Sequence, residues 1–578
     1  MPWKRWDYAA RLAGLDNNLR KYCVNGIKEG FHPGISSNAN PVSARENHFV
    51  EPTVIPRVYE DILHGLKSGF LLGPFDPKSE LARRTVISPI GTVARKFSEK
   101  IRVIHDLSHG HSINRSVNFY ISKQESSITY ISTKQLARTI LSLGTGAYLW
   151  VIDMAEAYRR VLLHPNFHQF LGIKWDNLVY RFACLPFGLA SSPKIYSYFA
   201  EVLRQIVVFS HGDLYFTGEL ISLMNYLDDF SAGSPDKKTA WKQFNIFQEW
   251  LQYLGVPTQP KKCICPTHII KILGFIYNTI NMTLSVPELK IKEFILSIEE
   301  LLSSPRRCSK QLIAEVVGRL NWTATVIFGA RALIRPLELL LQLRVRWEAR
   351  TIRLSQAIIQ DLIWWKQLLR SELNSIPLQF VAKSAQDGDI HVWTDAAGGQ
   401  GLGFAAFSSL GDYFQVKWSD LDLGPDWNWE DIGRGELLAV VVAAVIWANK
   451  FRGKSVTFHC DNTSVVAWVI KRSTPADRPD LLALVRWLTF ICFKIRFYFW
   501  IQWIPGDRNI EADNLSRFRK DPFTRIFSGR DIDEFIEPFF QKQPNLLNFQ
   551  FIRSSALSVA QKCLSQKASF IFTSLNAE

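Results

Sequence analysis

The sequence has few cysteines and no long hydrophobic run, and these two absences exclude several classes of protein. Its eight cysteines are irregularly spaced along 578 residues, which argues against a disulfide scaffold. This usage predicts reduced thiols and an intracellular location, in the cytoplasm or the nucleus. The longest uninterrupted apolar run, at 437–448, is too short to span a bilayer. We therefore expect no transmembrane segment and no membrane partner.

The sequence also lacks a P-loop, a fixed-period repeat and low-complexity tracts. What it contains is typical of a folded, basic, multidomain protein: 47% hydrophobic residues, 21% charged residues and a net charge of +15. The segment 81–115 alone holds seven Lys and Arg residues against two acidic ones, a net charge of +5. A basic excess of this kind favours a polyanionic partner.

The hydrophobic pattern changes twice along the chain. An apolar run at 147–153 predicts a buried strand, and the stretch 224–233 predicts a hairpin. Helical periodicity dominates from 287 to 375, and a polar linker at 384–389 precedes a return to mixed strands and helices. The pattern therefore predicts an α+β region, a helical region and an α/β region in that order.

A first acidic constellation consists of Asp153, at the end of the predicted buried strand, and the pair Asp228-Asp229 in the predicted hairpin. Two carboxylates about 4 Å apart repel by roughly 4 kcal/mol at an effective dielectric near 20, and a shared divalent cation reverses that repulsion. Because neighbouring side chains on a strand face opposite ways, only one of the pair shares metals easily with Asp153. We predict Asp228 as that ligand and an orienting or weaker metal role for Asp229.

The surroundings of these aspartates resemble the motifs of reverse transcriptases, in the order that the family has them. The resemblance is carried by VIDMAEAYRRVLL (motif A), LPFGLASSPKIY (motif B), NYLDDF (Y-x-D-D), LGVPTQPKKC (motif D), ILGFIY (primer grip) and ARKFSEKIRVIHDLS (fingers). It implies two-metal nucleotidyl transfer with two Mg²⁺ per active site, Mn²⁺ being the alternative.

The same resemblance implies nucleotide-binding roles for residues of these motifs. In the fingers, Arg102 and Arg95, with Lys96 as the alternative to Arg95, would neutralise the triphosphate. Lys262, or its neighbour Lys261, would protonate the leaving pyrophosphate. Three further residues would surround the nucleotide: Tyr158 as the ring beneath the sugar, Phe187 beside the nucleotide, and Gly188 as the point of close backbone approach. Phe187 departs from the Gln of retroviral enzymes but matches the P-F-G-L of gypsy-like elements.

A second acidic constellation is spread over four predicted elements and resembles the tetrad of ribonuclease H. The matching stretches are WTDAAG, GRGELLAV, FHCDNTSVVAW and WIPGDRNIEADNLSR, which supply Asp395, Glu436, Asp461 and Asp513. The resemblance implies that these acids bind two Mg²⁺ ions for cleavage of RNA. Many retroviral ribonucleases H carry a mobile His in the loop before the last Asp; here that loop has none, and Asp507 is not assumed to replace it.

The whole of residues 15–518 resembles the DIRS-type (tyrosine-recombinase) retrotransposons. This implies a multidomain α+β and α/β fold, a right-hand polymerase of fingers, palm and thumb followed by a ribonuclease H-like α/β domain. The domain boundaries we predict are an N-terminal extension (1–66), fingers and palm (67–280), a helical thumb or connection (281–385), a ribonuclease H-like domain (388–518) and a C-terminal tail (519–578).

The expected function is RNA-directed DNA synthesis with ribonuclease H cleavage. The expected partners are an RNA template, a DNA primer and product, an RNA–DNA hybrid and dNTPs, with capsid-like and recombinase proteins of the same element as further candidates. No protease triplet, zinc knuckle, integrase or recombinase is recognisable in the sequence. A catalytically silent or domesticated nucleic-acid-binding relic is the alternative, which the retained acidic residues disfavour.

Overall fold

The computed structural model of the protein describes residues 1–94, 101–110, 115–420, 431–519 and 573–574. It divides the chain into two units, residues 1–282 and 283–578. The seven cysteines in the described ranges are all free thiols. In the same ranges, no helix combines the length and the apolar character that crossing a membrane requires.

The first unit alternates helices with short strands. Its described helices are α1 (Trp3–Leu12), α2 (Asn17–Glu29), α3 (Ile55–Lys67), α4 (Glu80–Arg83), α5 (Lys123–Ser126), α6 (Thr133–Leu143), α7 (Ser192–Ser210), α8 (Gly212–Tyr215) and α9 (Lys237–Leu254). Its described strands are β1 (Leu71–Phe75), β2 (Ile90–Ala94), β3 (Ile101–His105), β4 (Tyr148–Asp153), β5 (Gly172–Trp175), β6 (Leu178–Phe182), β7 (Phe216–Thr217), β8 (Leu220–Ile221), β9 (Met224–Tyr226), β10 (Asp229–Ser234), β11 (Ile264–Thr267), β12 (Ile269–Ile272) and β13 (Phe275–Asn278).

A four-stranded antiparallel sheet with the order β11-β4-β10-β9 forms the centre of the first unit. Strand β4 is buried along nearly its whole length because strands flank it on both sides and α9 packs on one face. On that face the Trp150 ring contacts Phe244 and Phe247 of α9, at centroid distances of 5.8 and 5.5 Å. Asp236 caps the start of α9 and accepts hydrogen bonds from two backbone N–H groups. This packing fixes the end of β4, where Asp153 lies.

The second unit begins with helices and ends with a large sheet. Its described helices are α10 (Glu288–Ser303), α11 (Lys310–Thr323), α12 (Arg335–Leu339), α13 (Gln356–Arg370), α14 (Leu378–Ala382), α15 (Ile432–Ile446), α16 (Ala448–Phe451), α17 (Thr463–Lys471), α18 (Pro479–Ile495) and α19 (Ile510–Ser516). Its described strands are β14 (Thr283–Ser285), β15 (Cys308–Ser309), β16 (Arg350–Ile352), β17 (Ser375–Pro377), β18 (Ile390–Ala396), β19 (Gly403–Ser408), β20 (Asp412–Lys417), β21 (Ser455–Cys460), β22 (Tyr498–Trp503) and β23 (Thr573–Ser574).

The large sheet has the strand order β22-β21-β18-β19-β20-β23. Strands β22, β21 and β18 run parallel, whereas β18, β19 and β20 form an antiparallel meander. After Glu436, helix α15 is apolar on every side and lies in the core between this sheet and α18. Helix α19 packs on the opposite face, where Leu515 contacts Ala405 and Tyr413.

The predicted buried strand, the hairpin and the change to helices after residue 287 are confirmed. One element differs from its sequence pattern: the stretch 435–451 has the pattern of a single apolar helix, but it is broken at Trp447 into α15 and α16. Trp447 leaves helical geometry (φ −99°, ψ 15°) while its ring packs on Phe414, so tertiary packing overrides the local pattern. The domain boundaries stay predictions.

Candidate active sites

Three aspartates lie near one another at one end of the central sheet of the first unit. Asp153 is the last residue of β4, and Asp229, the first of β10, is its direct antiparallel partner. Asp228 lies in the tight turn between β9 and β10, after Leu227, whose backbone is left-handed (φ +52°). The Asp228 carbonyl accepts a hydrogen bond from the N–H of Met154 at 3.0 Å, which holds the turn against the end of β4.

This arrangement changes the argument from strand alternation. That argument placed Asp228 and Asp229 on one strand with opposite faces, but only Asp229 is a strand residue here. Directly opposed residues of an antiparallel pair share a face, and the Asp153 carboxyl group is close enough to raise the pKa of Asp229. Asp229 is therefore as well placed beside Asp153 as Asp228 is. The preference for Asp228 as the main ligand stays a prediction.

The electrostatics of this first cluster show a surplus of negative charge. Burial, together with the negative charges of Asp228 and Asp153, raises the pKa of Asp229 to about 7. Burial also raises the pKa of Asp228. The Lys262 ammonium lies 3.1 and 2.8 Å from the two Asp153 oxygens and is 61% exposed. A set of hard carboxylate oxygens offset by one exposed cation fits the binding of divalent metal ions.

Aromatic rings line the floor beside the first cluster. The Tyr158 ring lies 5.2 Å from Phe187 and 5.5 Å from Tyr196, between centroids. Tyr196 is buried, and its hydroxyl donates to the sulfur of Met154 at 3.0 Å. Phe187 is 53% exposed, so its ring is free to contact a ligand. Tyr196 was not predicted as a site residue, although it is the last residue of the LPFGLASSPKIY stretch.

Gly188 occupies a position that only glycine fills without strain. Its φ is +96°, and a Cβ atom there would lie 2.5 Å from the carbonyl oxygen of His105. The Asn118 side chain holds this loop, since it donates to the Gly188 carbonyl at 2.9 Å and accepts from the Ala190 N–H at 2.9 Å. Asn118 was also missed, because nothing in its local sequence indicates a partner 70 residues away.

The predicted phosphate-binding cations are only partly described. Arg102 lies on β3 opposite Val93, with an exposed side chain. Arg95 and Lys96 lie outside the described residues. Of the two candidate lysines after α9, Lys262 contacts Asp153, while Lys261 is exposed on the same short turn. The structure therefore favours Lys262 of that pair as the residue nearest the cluster.

The four acids of the second unit come from elements that the large sheet brings together. Asp395 lies on β18, and Asp461 directly follows β21, its parallel neighbour, so both lie at the same edge of the sheet. Glu436 projects from α15 and Asp513 from α19, which pack against β18 from opposite faces. Asp395, Glu436 and Asp461 each lie close enough to another acid of the cluster for its negative charge to raise their pKa.

Burial dominates the electrostatics of this second cluster. It raises the pKa of Glu436 to about 8 and that of Asp395 to about 6, and the neighbouring carboxylates add to both shifts. The Ser516 hydroxyl donates to Asp395 at 2.5 Å and opposes its shift. Asp513 pairs with Arg517, with Nε and Oδ1 2.6 Å apart. Buried carboxylates that are repelled by one another fit divalent cations here as well.

The loop before Asp513 contains a single turn at 506–508 and no histidine. Asp507 is exposed on this turn. The buried amide of Asn509 holds the loop to the sheet by donating to the carbonyl of Thr394 at 3.0 Å. The sequence prediction missed Asn509, and also Cys460 and Asn462, which contact Glu436. For Cys460 and Asn462, the available signal was their position on either side of Asp461.

Comparisons with known proteins agree with the first cluster. Residues 83–277, about a third of the chain, match the family model of "Reverse transcriptase (RNA-dependent DNA polymerase)". The Tf2-3 and Tf2-7 transposon polyproteins of Schizosaccharomyces pombe are 19% identical to the chain over 380 residues. The match covers 63% of this chain and 25% of each polyprotein, so the chain spans about a quarter of the length of these relatives.

Among solved structures, the chain is similar to foamy viral protease-reverse transcriptase. The structure in complex with RNA/DNA hybrid has 14% identity and a TM-score of 0.47, covering 92% of this chain and 66% of that one. The structure in complex with dsDNA has 16% identity and a TM-score of 0.44, covering 87% and 97%. The strand orders and helices of the two units confirm the predicted fold class, an α+β region followed by an α/β region. The chain thus carries a reverse transcriptase domain, in residues 83–277.

Proposed function

We propose that the chain is the RNA-directed DNA polymerase of a retrotransposon and that it also cleaves RNA in RNA–DNA hybrids. The observation that carries the proposal is the grouping of Asp153, Asp228 and Asp229 inside the part of the chain that matches the reverse transcriptase family. The basic composition and the net charge of +15 support a nucleic-acid partner.

In the polymerase reaction, Asp153, Asp228 and Asp229 would hold two Mg²⁺ ions, with Mn²⁺ as the alternative. Such a pair, when bound, activates the attacking primer hydroxyl and stabilises charge on the leaving group. Arg102 would bind the triphosphate, with Arg95 or Lys96. The Tyr158 ring would lie beneath the sugar, with Phe187 and Gly188 on the adjoining surface.

Lys262 has a role that follows from its exposure and its pKa. Its hydrogen bonds to Asp153 raise its pKa, so it is fully protonated at neutral pH. Once the Asp153 charge is offset by a cation, the exposed side chain is free to turn toward the leaving pyrophosphate. There it would donate the proton that the pyrophosphate needs.

In the hydrolytic reaction, Asp395, Glu436, Asp461 and Asp513 would hold the metal ions that activate water. The RNA 2′-hydroxyl would distinguish the strand to be cut from the DNA strand. The loop without histidine would alter product release rather than the chemical step. The DIRS-type subclass, dNTPs as substrates, and capsid-like and recombinase partners belong to the same proposal.

The test is extension of a DNA primer on an RNA template with labelled dNTPs and Mg²⁺, beside cleavage of an RNA–DNA hybrid. We expect Asp228→Asn to abolish synthesis but not cleavage, and Asp461→Asn to do the reverse. Synthesis that survives Asp228→Asn would refute the site assignment. Absence of synthesis by the parent chain across salt and metal conditions would favour the relic.

A further inference from the structure

A buried thiol contacts the second acidic cluster. The Cys460 sulfur donates to one Glu436 oxygen at 3.0 Å, and the Asn462 amide donates to the other at 3.4 Å. Cys460 is completely buried and Glu436 is 4% exposed. Because these two donors flank Asp461 in sequence, the end of β21 holds the Glu436 carboxylate from both sides.

The three side chains are close enough to bind one ion. The sulfur of Cys460 and one carboxylate oxygen each from Glu436 and Asp461 all lie within 4.8 Å of one another. Ligand bonds to Zn²⁺ are about 2.3 Å for thiolate sulfur and about 2.0–2.2 Å for carboxylate oxygen, so ligands around one ion stand roughly 3.5–4 Å apart. Small side-chain rotations would therefore close the triad on an ion.

The chemistry of this triad differs from that of an all-carboxylate site. Carboxylate oxygens are hard donors that suit Mg²⁺, whereas a thiolate selects soft or borderline ions. The first cluster also has a thiol nearby, Cys263, but its sulfur faces backbone groups: it accepts from the N–H of Asp153 and donates to the carbonyl of Gln259 at 3.4 Å. A thiol bonded to a cluster carboxylate is thus a feature of the second cluster.

We propose that Cys460, Glu436 and Asp461 form a binding site for thiophilic divalent cations, Zn²⁺ or Cd²⁺, that overlaps the hydrolytic metal site. As the metal–ligand bonds form, the Cys460 thiol proton and any proton held by Glu436 pass to the buffer, and the lone pairs of the sulfur and the carboxylate oxygen enter the metal coordination shell; no oxidant or reductant takes part. Binding of Zn²⁺ would exclude the productive arrangement of Glu436 and Asp461. That inhibitory consequence depends on the proposed ribonuclease H function, whereas the binding itself does not.

The binding test is optical and needs no activity. The full chain, freed of divalent cations, is titrated with Cd²⁺ while the ultraviolet sulfur-to-cadmium charge-transfer band is followed. We expect Cys460→Ser to remove one component of the band. Glu436→Gln should lower the Cd²⁺ affinity of that component on the order of 10–100-fold. Cys492→Ser is the matched control: Cys492 is also buried in this unit, and its sulfur donates to a backbone carbonyl, so the component should persist.

A second experiment measures inhibition. Zn²⁺ should inhibit hybrid cleavage by the parent chain at concentrations that leave DNA synthesis intact, and Cys460→Ser should raise the inhibitory concentration on the order of 10–100-fold. Circular dichroism and melting curves establish that each variant is folded. A Cd²⁺ band unchanged in both Cys460→Ser and Glu436→Gln would overturn the proposal. If the parent chain cleaves no hybrid, the proposed hydrolytic function fails, and the optical titration still decides the metal site.

Discussion

The two acidic clusters of this protein offset their negative charge in different ways. In the first, Asp153 has a charged partner, the exposed ammonium of Lys262. In the second, the buried acids Asp395 and Glu436 are contacted by neutral donors, and the cation of Arg517 pairs with Asp513 at the margin. An exposed lysine can leave its partner, whereas buried neutral donors stay in place. The first cluster can therefore exchange one cation for another, whereas the second, in which the pKa of Glu436 is raised furthest, depends more on protons when no metal is bound.

The largest effects should come from removing a carboxylate from either cluster. Asp153→Asn should lower DNA synthesis on the order of 10³-fold or more, because several kcal/mol of metal-based stabilisation is lost at about 1.4 kcal/mol per factor of ten. Primer extension on RNA measures it, and hybrid cleavage by the same preparation is the control. Equal loss of both activities would mean that the clusters are not separate sites.

The next effect concerns stability without metal. The pKa of Glu436 is raised from 4.5 to about 8, so its contribution to stability is complete below pH 4.5 and is lost as the pH rises through 8. Between about pH 5.5 and 8.5, the parent chain in EDTA should lose on the order of 3 kcal/mol more unfolding free energy than Glu436→Gln. Urea unfolding at both pH values measures this difference.

A matched variant controls that experiment. Glu511→Gln removes an exposed glutamate from α19 in the same unit and should keep the parent's pH dependence. Addition of Mg²⁺ at the higher pH should restore the unfolding free energy of the parent chain but should not raise that of Glu436→Gln. A parent chain that is equally stable at both pH values would contradict the buried, proton-binding character of this cluster.

A third prediction concerns the cation of the first cluster. Lys262→Met should lower DNA synthesis on the order of 10²-fold, as expected for loss of a general acid, and should leave hybrid cleavage unchanged. The pH dependence of the synthesis rate should lose its alkaline limb in this variant. Lys261→Met is the matched control, since the neighbouring lysine makes no contact with Asp153 among the described residues. Equal effects of both substitutions would point to general electrostatics instead.

The sequence was sufficient for the elements that carry these sites. The apolar run 147–153 marked β4, and Asp153 follows from the end of that strand, where a carboxylate meets the edge of a core. The turn of the Y-x-D-D stretch was harder, because alternation assumes a continuous strand and Leu227 breaks it with a left-handed backbone. The local sequence predicts the alternation of a strand, but it does not predict the single residue at which the strand ends and the turn begins.

Contacts between distant residues were beyond prediction. Lys262 reaches Asp153 across 109 residues because β11 pairs with β4, and Gly188 is required because the carbonyl of His105 lies against it. The partnership of Cys460 with Glu436 depends on how α15 packs over the sheet. These contacts are consequences of sheet order and helix packing, which no short pattern encodes.

The smallest effect should come from the aromatic floor of the first cluster. Tyr158→Val would open space beneath the sugar, where the ring now packs on Phe187 and Tyr196. Incorporation of ribonucleotides relative to deoxynucleotides should rise about tenfold, since relieving a clash of one or two methyl groups is worth about 1–3 kcal/mol. Competition between rNTP and dNTP in primer extension measures the ratio. Hybrid cleavage should not change, because Tyr158 packs on Phe187 and Tyr196 beside the first cluster. An unchanged ratio would remove Tyr158 from the nucleotide site and leave it a packing residue.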